Sequence, residues 1–499
     1  MRLVQNVQME IGEIDVANIK FDPRSRDDMP RILKGLQYLY TELPLRNKVF
    51  QILEAEVTPA VDKHTGRPGM TLWRILVCGV VRLDLNLDYD RLHDLVSHHT
   101  TLREMLGYNA IEETYSVRTL RDNVSLLTPE LLDKINLAVV EAGHVLVKKS
   151  PDEALHGRCD SFVLETHVHY PTDINLLFDA MRKVIELTAD LCERLGDSSW
   201  RQYCYNIKQL KRLMQTAQNK KRSKAQSETQ KNKNNALVIE AHQNYLNLAQ
   251  QHLDKAIHTL SGLKSSGLTS MTDVACMQVI DGFMTHAKRQ IDQTKRRVIL
   301  GETIPHEEKV FSIFQEHTEW ISKGKAGVPV ELGVKVCIME DQHQFILHHQ
   351  VMEKTTDDQV AVSMVKEAKA RHPALQLCSF DKGFHSKENQ QALKEELTLA
   401  VLPRKGKLSK QAYAEEHADA FIKARRQHSA VESAINALEV HGLDRCLDHG
   451  IDGFKRYVAL AVVARNIHRI GDILWKRDQK RERCKEKYAD RDSHYKLAA

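Results

Sequence analysis

The chain has 499 residues, 42% of them hydrophobic and 28% charged, with a formal net charge of +5. That length excludes one simple core and predicts roughly two to four domains. Nine scattered cysteines with no C-x-x-C pair fit reduced thiols rather than a disulfide framework. No apolar run reaches the ~18 residues that span a membrane, and residues 1–16 lack a basic-then-apolar leader. A cytoplasmic protein without a membrane partner is expected.

Residues 1–150 read as a helical N-terminal domain. Pro59 and Gly66-Arg67-Pro68-Gly69 punctuate it, and the run from Thr71 to Asn86 is a strongly apolar helix. Leu92, Leu95, Val96, Leu102 and Leu106 then recur near helical spacing. A short segment, 116–127, carries Arg118 and Arg121. Thr128-Pro129-Glu130 is an N-cap followed by Pro at the first helical position, opening a helix to about residue 147. Short helices with exposed Arg suit a helix-turn-helix DNA reader; a plain helical bundle suits the same pattern.

Residues 151–172 hold the first strand. Across 158–170, Asp160, Phe162, Leu164, Thr166 and Val168 alternate with Ser161, Val163, Glu165, His167 and His169. The two histidines share one face, but no third ligand accompanies them, so a structural or substrate-contacting role is preferred to a metal. Residues 173–305 form a large helical insertion, with Ile174, Leu177, Met181, Val184, Ile185, Leu191 and Leu195 at helical spacing. Inside it, residues 201–235 carry ten Lys and Arg, including Lys220, Lys221, Arg222 and Lys224, against Glu228 alone. Such a run is often a solvated face; it also suits a polyanion, because each cation beside a phosphate releases counterions. The polar tract 218–235 reads as a flexible joint.

Residues 306–475 complete a second, mixed segment. Val330, Leu332, Val334, Val336 and Ile338 alternate cleanly, Asp341-Gln342-His343 turns the chain, and 345–352 returns as a strand. A helix over 357–370 precedes the strand 375–380, which ends on Asp381 with Lys382-Gly383 turning away. Asp381 there is either a carboxylate presented on a rigid strand end or a cap for the following helix. A helix over 385–397, a strand over 397–402, and the basic turn Pro403-Arg404-Lys405-Gly406-Lys407 follow. The helix 429–440 carries Glu432 beside its apolar stripe, and Gly442 is placed to stop it. A long apolar helix spans 451–474, and the charged tail 476–499 is expected to be disordered.

Without the insertion the order is β-β-β-α-β-α-β-α, a mixed five-stranded sheet covered by helices. That is the order of an RNase H-like core, so the fold class expected is α+β and multidomain. Three separated carboxylates, Asp160, Asp381 and Glu432, suit Mg²⁺, a hard cation that takes oxygen ligands. Two such ions about 3.5–4 Å apart activate the attacking oxygen and stabilise the leaving one in phosphoryl transfer.

Four blocks in order resemble the DDE-type insertion-sequence transposases, in particular the ISNCY-like group. They are GRCDSFVLETHVHYPTD around Asp160, HTEWISKGKAGVPVELG before the hairpin, SFDKGFHSKEN around Asp381, and RRQHSAVESAINALEVHGLDR around Glu432. The helix FKRYVALAVVARNIHRIG belongs to the same pattern, and the likeness covers roughly residues 60–475. It implies that Asp160, Asp381 and Glu432 are the metal-binding catalytic triad, with two Mg²⁺ ions for which Mn²⁺ can substitute. It implies a prokaryotic, DNA-associated enzyme that cuts transposon ends and joins them to a target. The implied partners are double-stranded DNA, both terminal inverted repeats and target, and further copies of the chain in a homodimer or larger assembly. Related transposases often carry Arg four positions before the catalytic Glu and Lys seven after; His428 and Glu439 stand there in this chain. DNA contacts would then fall to Arg425, Arg426 and Arg445, with Arg118, Arg121, Lys220, Lys221, Arg222, Lys224, Lys382, Arg404 and Lys405. A nuclease or resolvase on the same core, and a DNA-binding relative without activity, remain the alternatives.

Overall fold

The computed structural model describes residues 2–5, 8–9, 11–57, 69–108, 115–221, 227–265, 270–322 and 329–498. Pro59 and Gly66 to Pro68 lie outside them. The chain is α+β and forms two compact units, residues 1–167 with 321–499, and residues 168–320.

The first unit opens with α1 (Met29–Thr41), α2 (Leu43–Val57), α3 (Leu72–Asp84), α4 (Tyr89–His98), α5 (Thr100–Met105), α6 (Val117–Val124) and α7 (Pro129–Leu146). The caps follow the sequence. Thr71, Asp88, Ser116 and Thr128 each accept a backbone N–H of the helix they start. Every residue of α3 is buried, its apolar side chains in the core and Arg74, Arg82 and Asp84 on polar partners, Leu106 O, Asp448 and His468. After α7 comes the strand β1 (Leu155–Thr166).

The 168–320 unit is built on α8 (Asp173–Arg194), α9 (Tyr203–Lys221), α10 (Glu228–Ser265) and α11 (Met271–Thr294). It has its own apolar core, including Leu177, Met181, Leu210, Tyr245, Leu253 and Ile280. The tract 218–235, expected as a joint, is helical through Lys221 and again from Glu228; residues 222–226, with Arg222 and Lys224, lie outside the described part.

The chain then supplies β2 (Glu319–Ser322), β3 (Val330–Glu340), β4 (Ile346–Met352), α12 (Asp357–Arg371), β5 (Leu375–Phe380), α13 (Lys387–Glu396) and β6 (Leu399–Val401). Next come α14 (Lys410–Glu416), α15 (Asp419–His428), α16 (Ala430–Leu438), β7 (Arg445–Cys446) and α17 (Gly450–Ala498). The strands make one mixed sheet of seven, not five, in the order β2-β3-β1-β5-β6, with β4 also on β3 and β7 also on β1. The two additions, β2 and β7, have four and two residues, too few to show a period in sequence. β1 runs antiparallel to β3 and parallel to β5, and β5 runs parallel to β6.

Helices and sheet share a single core, in which Leu33, Val77 and Leu132 of the N-terminal helices join Cys159, Val336 and Phe380 of the strands. Residues 1–150 therefore do not stand as a body apart. At the crossing of α1 and α17, a Cβ on Gly35 would lie 2.2 Å from the Ile467 carbonyl oxygen, and one on Gly471 2.0 Å from that of Arg31. Only glycine admits that approach. The tail is also different from its expectation: α17 continues through residue 498. Arg477 Nη2 donates to Leu146 O at 2.7 Å, Gln479 Nε2 to Pro23 O at 3.0 Å, and Lys34 pairs with Asp478 at 3.2 Å. Strong helix formers and the i,i+3 pair Lys485–Glu482 favour helix in the first part of this charged segment.

Candidate carboxylate site

Strand register brings Asp160 and Asp381 side by side. In the parallel pair β1–β5, Cys159 stands opposite Phe380. One step further along both strands are Asp160 and Asp381. Cys159 and Phe380 are buried, so by alternation the two carboxylates leave the sheet on its other face. Asp160 is half-buried and Asp381 exposed. The cap alternative for Asp381 is not realised: it makes no side-chain bond to the short turn Lys382–Phe384, and Ser386 caps α13. Glu432 sits exposed in the first turn of α16, which packs against β1.

The charges of these groups act on one another. Burial pushes the Asp160 carboxyl up to about 6, and the negative charges of Asp381, Asp357 and Glu432 add to the rise, against the Ser161 amide that favours the anion. Ser161 N donates to Asp160 Oδ1 at 2.7 Å. Three separated positions in sequence therefore belong to one electrostatic cluster. Their oxygens are spread more widely than a closed ligand cage, since the triad does not bring three ligand atoms within 4.8 Å of one another.

Two further residues join the cluster, Asp357, which the sequence did not single out, and His428, which it marked only by position. Asp357, at the first position of α12, accepts from Ser161 Oγ at 2.7 Å and pairs with Lys335 at 3.0 Å. It sits inside the capping box formed by Thr356 and Gln359, so in sequence it passes for an ordinary helix-start acid. His428, on the last turn of α15, has Nδ1 3.0 Å from Ser379 Oγ. Burial lowers its pKa, opposed by Asp381 and Glu432 and helped by Arg158. The only signal was its place four residues before Glu432.

Of the expected DNA contacts, Lys382 is exposed directly after Asp381, and Lys405 Nζ donates to Gly383 O at 3.1 Å in the same turn. Arg404 is held by Glu415 and Glu416. Arg425 and Arg426 are exposed on α15. Arg445 is paired with Glu165 at 3.2 Å. Arg118 and Arg121 are exposed on α6, which the fold does not bring into the carboxylate cluster. Lys220 and Lys221 end α9 in the 168–320 unit. His167 is exposed beyond β1, and His169 lies 3.4 Å from Asp179.

Among the described residues one other group gathers metal-type ligands, Asp84, His441 and His468, with atoms all within 4.8 Å. His468 Nδ1 lies 2.9 and 3.0 Å from the two Asp84 oxygens, and its Nε2 3.6 Å from Asp472. Burial would lower the His468 pKa, but the Asp472 and Asp84 carboxylates reverse that and raise it to about 9. Through these contacts with Asp84, His468 ties α17 to the end of α3. His441 joins it through a bond to the Asp84 carbonyl.

No helix of the described residues is long and apolar enough to cross a membrane, and all nine cysteines are free. No family model, curated protein or solved structure matches the chain.

Proposed function

We propose that the chain is a DDE-type DNA transposase whose sheet, with its helices, is an RNase H-like catalytic core. The observation that carries this is the level placement of Asp160 and Asp381 on neighbouring parallel strands, with Glu432 on a helix against the same strand. The strand order β4-β3-β1-β5-β6, antiparallel on one side of β1 and parallel on the other, supports the core assignment.

The residues fit a divalent cation. The donor set is all oxygen, and crowding of like charges that raises Asp160 is relieved by a hard cation. Asp160, Asp381 and Glu432 would hold Mg²⁺, which would activate the attacking oxygen and stabilise the leaving one. Asp357 pairs with Lys335 and, through Ser161, braces the strand beside Asp160. Burial favours the neutral form of His428, whose Nδ1 bonds Ser379 Oγ behind the β5 end. Lys382 and Lys405 supply positive charge beside Asp381 for a phosphodiester backbone.

The test is strand cleavage of DNA bearing the element's terminal repeats, with Mg²⁺. Asp381→Asn and Glu432→Gln should each abolish cleavage while retaining DNA binding; undiminished cleavage by either removes the triad. Joining of pre-cleaved ends to a second duplex is expected, and hydrolysis without joining would make the enzyme a nuclease instead. Assembly on end DNA as a homodimer or larger oligomer is part of the proposal.

A further inference from the structure

The 168–320 unit encloses a cavity of about 610 Å³ that the carboxylate chemistry does not use. One part of its lining is a run of aromatic rings. Tyr170 and Trp320 have centroids 5.6 Å apart, as do Trp320 and Phe311. Tyr170 is 62% exposed, a large ring left open to solvent. The same cavity is lined by three cations, Lys221, Arg297 and Lys309, against one carboxylate, Asp173, which pairs with Arg297 at 2.8 Å.

A second, independent feature points to a ligand. Thr294 lines the cavity, is fully buried, and its Oγ1 has no hydrogen-bond partner. A buried hydroxyl left so is costly unless something else completes it. Directly after it the helix widens into a π-turn, Lys295–Ile299, that carries Arg297. Such distortions concentrate at binding sites.

We propose that this cavity binds a nucleoside phosphate. A planar base stacks on the Tyr170–Trp320–Phe311 wall, the phosphate lies among Lys221, Lys309 and Arg297, and the Thr294 hydroxyl bonds a polar atom of the ligand. A simple anion leaves the aromatic wall without a role, and an apolar ligand leaves the cations and Thr294 without one. A free mononucleotide and one unit of a single-stranded nucleic acid share this chemistry. The site is independent of the carboxylate cluster and of any reaction there.

The full chain is titrated in EDTA with AMP, adenosine and inorganic phosphate, following calorimetric heat and tryptophan fluorescence. AMP should bind about tenfold more tightly than adenosine or phosphate, or ~1.4 kcal/mol. Tyr170→Ala and Lys309→Gln should each weaken AMP by about fivefold or more, as the loss of one stacking or phosphate contact requires. Thr294→Val, near in shape, should weaken it too. Competition by a 5′-phosphorylated oligothymidylate assigns the site to a nucleotide unit of a strand; no competition assigns it to a free nucleotide. Absence of AMP binding up to about 1 mM, roughly the weakest affinity worth ~4 kcal/mol, overturns the proposal. So does unchanged binding in Tyr170→Ala and Lys309→Gln proteins that keep the wild-type unfolding midpoint, or equal binding of phosphate and AMP.

Discussion

Asp160 carries the electrostatic strain of the carboxylate cluster. Its folded pKa of about 6 lies above the ordinary aspartate value, so folding favours the protonated form. The stabilising contribution is complete below the unfolded pKa of about 3.9 and is lost as pH rises through the folded one. Asp160→Asn should therefore match the wild type near pH 4 and exceed it above pH 6, by up to ~3 kcal/mol. Mg²⁺ should reverse the ranking at neutral pH, since only the ionised wild type gains from the cation. Urea unfolding across this range, with and without Mg²⁺, checks both; parallel stability curves for the two proteins would contradict the cluster. At this scale Asp160 and Asp381 were legible because each sits in an apolar strand where a charge has no packing reason to be. Asp357 was not, because a helix-start acid beside Thr356 needs no other explanation.

Between elements, the decisive contact is the α1–α17 crossing. Gly35→Ala or Gly471→Ala forces the helices apart against a close-packed core and should cost about 2–3 kcal/mol or more. Gly262→Ala on the exposed face of α10, where an added Cβ meets nothing within 4 Å, is the control; it should be neutral or stabilising by about 0.5–1 kcal/mol. Thermal denaturation of the three variants decides it, and equal midpoints would remove the packing argument. Sequence periodicity placed the α17 stripe, yet it could not show that two glycines some 440 residues apart meet. It also did not show that residues 477–479 of α17 bond to Leu146, Pro23 and Lys34, contacts made only in the folded chain.

Among the described residues the two large apolar cores, one in each compact unit, share no members, and a small third cluster gathers Val401, Phe421 and Ala424. Calorimetry should accordingly resolve two unfolding transitions, and cavity-forming Leu253→Ala should lower one midpoint while leaving the other in place. A single transition shifted as a whole would show that the two cores unfold together. By itself, the amino-acid order determined what depends on neighbours in the chain: helix caps, the alternation of β1 and β3, the strand ending on Asp381, and the long break between the first strand and the hairpin. Only the tertiary structure decided what depends on residues distant in the chain. It set the strand register that levels Asp160 with Asp381, added Asp357 and His428 to their cluster, merged the N-terminal helices with the sheet, and enclosed the Tyr170–Trp320 cavity. Local patterns record which way a side chain turns, whereas the partner it meets is chosen by packing across the whole fold.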